Sequence, residues 1–239
     1  MAIKERNVAV VEMEQRYTNV LVVDRKVEVK SVEGEYVPAG VIPSGVKKVY
    51  VTSSFIEPVF SLNLFPPARG KTFDDLVRKA TAKMMGMKLF VSRHYVVQKE
   101  GEQNLTAIVA IPRSELDWLG ARVKGLGFYP YLVLPSPVAI ALLLEKMGYI
   151  QKGIPLVYLE LKKGEALCAI YRGGAPAIIR KIPYSSPSPR MMEIETWGML
   201  SREILQTILY YRQRFHGEEV ARLIIGGEKP GDDILAYLS

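Results

Sequence analysis

"PLVYLELKKGEALCAIYRGGAPAIIRKIPYS", residues 155–185, holds three apolar runs separated by Lys163-Gly164 and by Gly173-Gly174. Short β-rich runs broken by glycine-containing turns predict three consecutive strands joined tightly, since glycine adopts positive φ without steric cost. The Ser-Pro tract "SSPSPR" that follows reads as a loop. Beyond it Ile194, Trp197, Leu200, Ile204, Ile208, Tyr211 and Phe215 recur at steps of three and four, which predicts one long helix with a continuous apolar stripe. The stretch "ARLIIGGEKPGDDILAYLS" (221–239) then reads as a strand, the pair Gly226-Gly227 and a C-terminal helix. That glycine pair has two readings. A nucleotide could lie against its bare main chain, or it is a strand-to-helix turn that needs positive φ.

Working back toward the N-terminus, "PVAIALLLEKMG" predicts a nearly all-apolar helix stopped by Gly148, and "FYPYLVLPS" before it a buried strand. Residues 47–127 read as strand-strand-helix-strand-strand-helix, a compact α/β module of its own. Its first helix is expected to begin at Thr72 as N-cap, with Asp74 and Asp75 in the first turn and Phe73, Leu76, Val77, Ala80 and Met84 on one face. Its second is expected to be capped by Ser114, to turn Leu116, Leu119 and Val123 inward, and to end at Gly125 and Gly127. At the start of the chain, "NVAVVEME", "NVLVVDR" and "KVEVKSVEG" read as a meander opening an α/β domain.

Composition excludes several classes. With 239 residues and 49% hydrophobic content the chain can build a real core. Its longest apolar runs fall well short of the roughly 18 residues a spanning helix needs, and "MAIKERN" has no signal core, so a cytosolic soluble protein is expected. The one cysteine, Cys168, lies inside "ALCAIY" and is read as a small buried hydrophobe, leaving no disulfide framework. A net charge of +7 suits acidic partners, yet the cations are scattered and no nucleic-acid module appears. Scarce Asn and Gln beside plentiful Lys, Arg and Glu suit a thermophile source. His94 and His216 stand far apart, the pairs Asp74-Asp75 and Asp232-Asp233 sit at expected helix starts, and "YRGG" lacks the lysine of a phosphate loop. No catalytic residue and no metal site is therefore expected.

Three strands, a long amphipathic helix and a strand ending in Gly-Gly resemble the second half of the actin-like (ribonuclease H-like) fold. The module at 47–127 resembles the extra α/β subdomain of FtsA and PilM, and the cytoplasmic part of GspL is similar. "TSSFIEPVFSLNLF" with "FDDLVRKATAKMMG", then "LTAIVAIPRSELDWLGARVKGLGFYPYLVLPSPVAI", and "REILQTILYYRQRF" carry this resemblance. It implies a division into 1–46 as the first part of domain I, 47–127 as the inserted subdomain, 128–152 as the rest of domain I, and 153–239 as domain II. Relatives of this kind continue past the Gly-Gly helix whereas this sequence stops at Ser239, which leaves two readings open, a truncated chain or one separated from a membrane anchor.

Members that hold ATP show an acidic-x-Gly turn near the N-terminus, a second in the later strand trio, and the Gly-Gly beside adenosine. Here Glu12 stands in the first acidic position but Glu14 replaces the glycine; Glu160 stands in the second, with Lys162 at the glycine and Glu165-Ala166 where a small hydroxyl residue is usual; Gly226 and Gly227 are intact. A carboxylate about 4 Å from a phosphate charge costs on the order of 4 kcal/mol at an effective dielectric near 20, which is roughly a thousandfold in affinity. The resemblance thus implies a pseudo-ATPase with vestigial nucleotide residues Glu12, Glu160, Gly226 and Gly227, and no ATP or magnesium cofactor. Leu62, Leu64, Phe65 and Pro66 in "FSLNLFPP" are read either as the rim of a peptide groove or as ordinary packing between subdomains; the resemblance adds weight to the groove and leaves both readings open.

The function implied is a non-catalytic cytoplasmic scaffold, peripheral at an inner membrane, in a type IV pilus or type II secretion machine. Its expected partners are a cytoplasmic tail of a membrane-embedded protein and an assembly ATPase, with no nucleic acid and no small-molecule substrate. An ATP-binding FtsA-like ATPase is the alternative, and a small-molecule kinase of the same superfamily is a third reading.

Overall fold

The computed structural model describes residues 8–13, 17–23, 27–33, 48–53, 56–87, 89–125, 129–151, 153–186 and 188–231. Its elements begin with strands β1 (Val8–Met13), β2 (Tyr17–Val23), β3 (Val27–Glu33), β4 (Lys48–Ser53) and β5 (Val59–Phe65). Helix α1 (Gly70–Met85), strands β6 (Phe90–Glu100) and β7 (Gln103–Pro112), helix α2 (Arg113–Gly125), strand β8 (Leu132–Pro135) and helix α3 (Ser136–Lys146) follow. The last are β9 (Leu156–Lys162), β10 (Glu165–Arg172), β11 (Ala175–Pro183), a short 3-10 turn at Pro189–Met191, α4 (Ile194–Arg214) and β12 (Arg222–Gly227). The order expected for 47–127 and for 155–227 is the order observed. The expected C-terminal helix, and Glu14 and Gly127, lie outside the described residues.

The chain forms two compact units. One takes the chain up to Val59 with Val77–Arg93 and Val109–Ala139; the other takes Phe60–Leu76, His94–Ile108 and the chain from Ile140 onward.

The first unit holds a five-stranded sheet in the order β3-β2-β1-β4-β8. The strands β1 to β3 form the expected antiparallel meander, while β4 runs parallel to both β1 and β8. Burial along β4 alternates with period two, so Val49 and Val51 face inward. They join Val11, Met13, Ile56 and Ile111 in a core closed by Leu119 and Val123 of α2, which are four residues apart and therefore on one helix face. Ser53 Oγ donates to the Met13 carbonyl at 3.2 Å, satisfying a buried hydroxyl between the two central strands.

The second unit holds a four-stranded sheet, β11-β10-β9-β12, in which β9 to β11 form the antiparallel trio and β12 runs parallel to β9. Gly173 and Gly174 join β10 to β11 with φ of 57° and 82°, the double positive φ that suits a two-residue hairpin to the twist of its strands. On one face Val157, Leu159, Leu161, Ala166, Cys168 and Ile170 pack with Trp197, Leu200, Ile204 and Tyr211 of α4, and Leu62, Leu105 and Ala107 enter the same core. On the other face Leu156, Ala169 and Tyr171 pack with Ala141 and Leu144 of α3. Burial pushes the Cys168 thiol up to about 11, in keeping with an inert core cysteine. The strands β5, β7 and β6 form a further three-stranded sheet, in that order.

Three local expectations are corrected. Helix α1 starts at Gly70 rather than after Thr72, so no acid lies in its first turn and Asp74 and Asp75 fall in the second. Helix α2 likewise starts at Arg113, which places Ser114 inside the helix. Residues 129–136 are not a buried strand: among the described residues β8 stands at the edge of its sheet, and Tyr131 before it is 60% exposed. Helix α3 buries Pro137, Ala141 and Leu144, and Leu142 and Leu143 are exposed despite its apolar composition.

Candidate functional site

The parallel pairing of β9 with β12 sets Gly226 opposite Glu160 and Gly227 opposite Leu161. Of the residues expected at a vestigial nucleotide site, Glu160 and Gly226 thus lie side by side on neighbouring strands. A Cβ at Gly226 would overlap the Tyr158 phenol, coming within 2.8 Å of its Cζ. Gly227 has φ of 82°, and a Cβ there would meet the Leu161 main chain, 2.9 Å from its nitrogen. Glu228 N–H then donates to the Leu161 carbonyl at 2.9 Å, closing the turn. Both glycines therefore have a reason internal to this sheet: one admits a neighbouring ring, the other a left-handed turn against a backbone.

Along β9, Tyr158, Glu160 and Lys162 alternate with the core residues and share the opposite face. Lys162 Nζ stands 3.5 Å from Glu160 Oε2, with both side chains mostly buried. Burial, then the negative charge of Glu160, push the Tyr158 phenol up to about 12, so it stays protonated at neutral pH. Glu12 lies in the other unit, on β1, paired with Asn19 and Thr52.

The Tyr158 contact yields a test. Gly226→Ala is expected to cost about 2 kcal/mol of stability, the usual scale of overpacking, and most of that cost should vanish in a Tyr158→Ala background. Urea unfolding of the four proteins of this cycle measures it. Equal costs in both backgrounds would mean that Gly226 is glycine for another reason.

The four residues read as a groove rim are divided by the structure. Leu62 is buried in the α4 core, and Phe65 is buried with its ring edge-on to Phe73 at 5.8 Å. Leu64, 43% exposed, and Pro66 are on the surface. In its sheet β5 is an edge strand, paired with β7 on one side. Its Leu62 carbonyl accepts a long hydrogen bond of 3.4 Å from Arg214 Nη2.

One polar cluster escapes sequence reasoning. Arg172 sits between Glu100 of β6 and Glu218, at 2.8 Å from each carboxylate, with its guanidinium 5.2 Å from the centre of the Phe215 ring. Tyr211 donates to the same Glu218 carboxylate, and burial raises its phenol pKa. Only the fold brings these residues together, since Glu100 lies far upstream of Arg172 with no local spacing to reveal it. His94 Nε2 stands 3.4 Å from Asp74 Oδ1, edge-on to Phe73. Among the described residues no group of three His, Cys, Asp or Glu could hold a metal ion, and no described helix is long and apolar enough to cross a membrane.

Two sheets of this topology, with the β9-β10-β11 trio, α4 and β12 in that order, define the α/β actin-like fold. The chain is similar to the PilM–PilN type IV pilus biogenesis complex, with a TM-score of 0.64 at 12% identity over 92% of this chain and 82% of that one. It is also similar to an actin-like ATPase-fold protein of unknown function from Bacteroides thetaiotaomicron, with a TM-score of 0.49 at 9% identity, over 97% of this chain and 86% of that one. The cytoplasmic domain of EpsL, an inner-membrane component of the Vibrio cholerae type II secretion system, matches with a TM-score of 0.49 at 15% identity, over 74% and 71% of the two chains. Neither a protein-family model nor a curated protein matches the sequence.

Proposed function

We propose that this chain is a non-catalytic actin-like scaffold of a type IV pilus or type II secretion platform at the cytoplasmic face of an inner membrane. It binds a cytoplasmic segment of a membrane-embedded partner of the PilN kind, with an assembly ATPase as a further contact. Likeness to the PilM–PilN complex over nearly the whole chain supports the fold side of this reading. The observation that carries the binding side is β5, an edge strand with Leu64 and Pro66 at the surface over a buried Leu62 and Phe65. An extended peptide can add to such an edge through main-chain hydrogen bonds and set its side chains against exposed apolar ones. Leu64 and Pro66 are the contacts, and Leu62 and Phe65 hold them in place from the core.

Absence of catalysis is supported by what stands at the vestigial positions. Lys162 and Glu160 pair with each other, and Gly226 already accommodates the Tyr158 ring. A triphosphate would have to part that ion pair and add its own charge beside Glu160. Calorimetric titration with ATP and magnesium is expected to show affinity weaker than about millimolar; micromolar binding would establish the ATPase reading instead. For the partner, Leu64→Asp should lower retention of a PilN-type cytoplasmic segment by at least about tenfold, since a buried unpaired charge at a contact is costly. The unfolding midpoint should hardly change because Leu64 is already exposed. Undiminished retention would remove β5 as the docking edge.

A further inference from the structure

The edge of the five-stranded sheet at β8 carries a surface that the partner reading does not use. Tyr129 is 76% exposed and Tyr131 60%, among the most exposed large apolar side chains described. Lys48 Nζ lies 4.5 Å over the Tyr131 ring and Lys124 Nζ 5.5 Å over the Tyr129 ring. Tyr50 meets Tyr131 edge-on at 5.6 Å, and Tyr131 N–H donates to the Val49 carbonyl at 2.7 Å, which fixes the ring-bearing backbone to β4. Leu132, exposed in turn, continues the apolar surface along the edge strand. From Trp118 to Leu144 the chain contains Arg122 and Lys124 and not one Asp or Glu.

We infer that this Lys48–Tyr131 and Lys124–Tyr129 surface docks the protein onto an anionic phospholipid bilayer. The inference deepens the scaffold reading by naming the face turned to the lipid. Tyrosine has an apolar body and a polar tip, the chemistry that settles at the level of lipid headgroups. A lysine over such a ring brings its ammonium to the same depth, where it meets phosphate while its stem covers apolar surface. Anionic bilayers attract each such cation, and acids would oppose that attraction; the stretch bearing both rings has none. Pro130 between the two tyrosines limits the backbone freedom lost on docking. An acidic protein would be attracted by the same positive charge, but it gains less from two projecting tyrosines and a leucine that offer apolar area to an acyl boundary.

Co-sedimentation with phosphatidylcholine vesicles, with and without phosphatidylglycerol, tests this. Binding is expected only with phosphatidylglycerol and should weaken with salt. Lys48→Glu with Lys124→Glu should lower the partition at least about tenfold. Tyr129→Ser with Tyr131→Ser should lower it as well. The exposed lysines of α1 give a charge-matched control: Lys79→Glu with Lys83→Glu should lower it less than about threefold. Unfolding midpoints confirm that each variant is folded. Equal losses in the control and the patch variants, or binding that ignores phosphatidylglycerol, would overturn the inference. So would a result in which the patch variants lose binding to poly-glutamate but not to vesicles, which would assign the surface to an acidic protein. Capture of the PilN-type segment by β5 is a separate reading, so failure of either leaves the other measurable.

Discussion

Trp197→Ala is expected to lower unfolding stability by about 4 kcal/mol, the largest single effect in the molecule. Trp197 lies in the first turn of α4, is 1% exposed, and packs with the β9 and β10 side chains that form the main core of the second unit. Alanine would leave a cavity the size of an indole among close-packed neighbours, and both the lost burial and the cavity count against the fold. The indole N–H finds no acceptor among the described residues. Trp197→Phe removes that unsatisfied donor, so it should cost under about 1.5 kcal/mol despite the lost volume. Urea unfolding of both variants is the measurement. A phenylalanine variant as weak as the alanine variant would show that ring volume alone decides.

Arg172→Ala should rank second, at about 3 kcal/mol. Its guanidinium stands at 2.8 Å from both Glu100 and Glu218, and all three side chains are largely withdrawn from water. Removing the cation leaves two carboxylates near each other with no countercharge, although their residual exposure keeps the cost at the low end of the range for buried pairs. Arg172→Lys should recover less than half of the loss, because an ammonium cannot span two carboxylates as the planar fork does. Full recovery by lysine would mean that charge alone matters and the two-sided geometry does not. In the double variant Arg172→Met, Glu218→Gln the cost should fall below the sum of the singles, as expected for groups acting as one unit.

Both predictions concern the unit whose sequence was easiest to read, and the two differ in how visible their residues were. The α4 stripe was legible because a helix repeats every three to four residues, and Trp197, Leu200, Ile204 and Tyr211 follow that period into the core. Thr207 belongs to the same buried face and was not expected there; it is tolerated because its hydroxyl donates to the Glu203 carbonyl at 2.8 Å within the helix. Arg172 was invisible as a site, since an arginine one residue before a glycine turn looks like any strand end.

The nucleotide positions show the same division. That Gly226 and Gly227 are glycines closing an apolar run was plain in the letters. That Tyr158 packs against one and the Leu161 main chain against the other follows only from parallel pairing of β9 with β12, whose partners are more than sixty residues apart in the chain. The peptide-rim residues follow suit. "FSLNLF" alternates like a strand, but the letters could not say that Leu62 and Phe65 are buried while Leu64 is exposed.

Strand trio, glycine turns, helix order and apolar stripes were set by properties each residue carries within a few neighbours: allowed φ, β-branching and helical period. Which apolar residues are core and which are surface, which carboxylates meet which cations, and why a given glycine tolerates no side chain depend on contacts made across long stretches of chain. Only the folded packing of α3, α4 and the sheets supplies those contacts, which is why Leu142 and Leu143 stand exposed beside a buried Leu144.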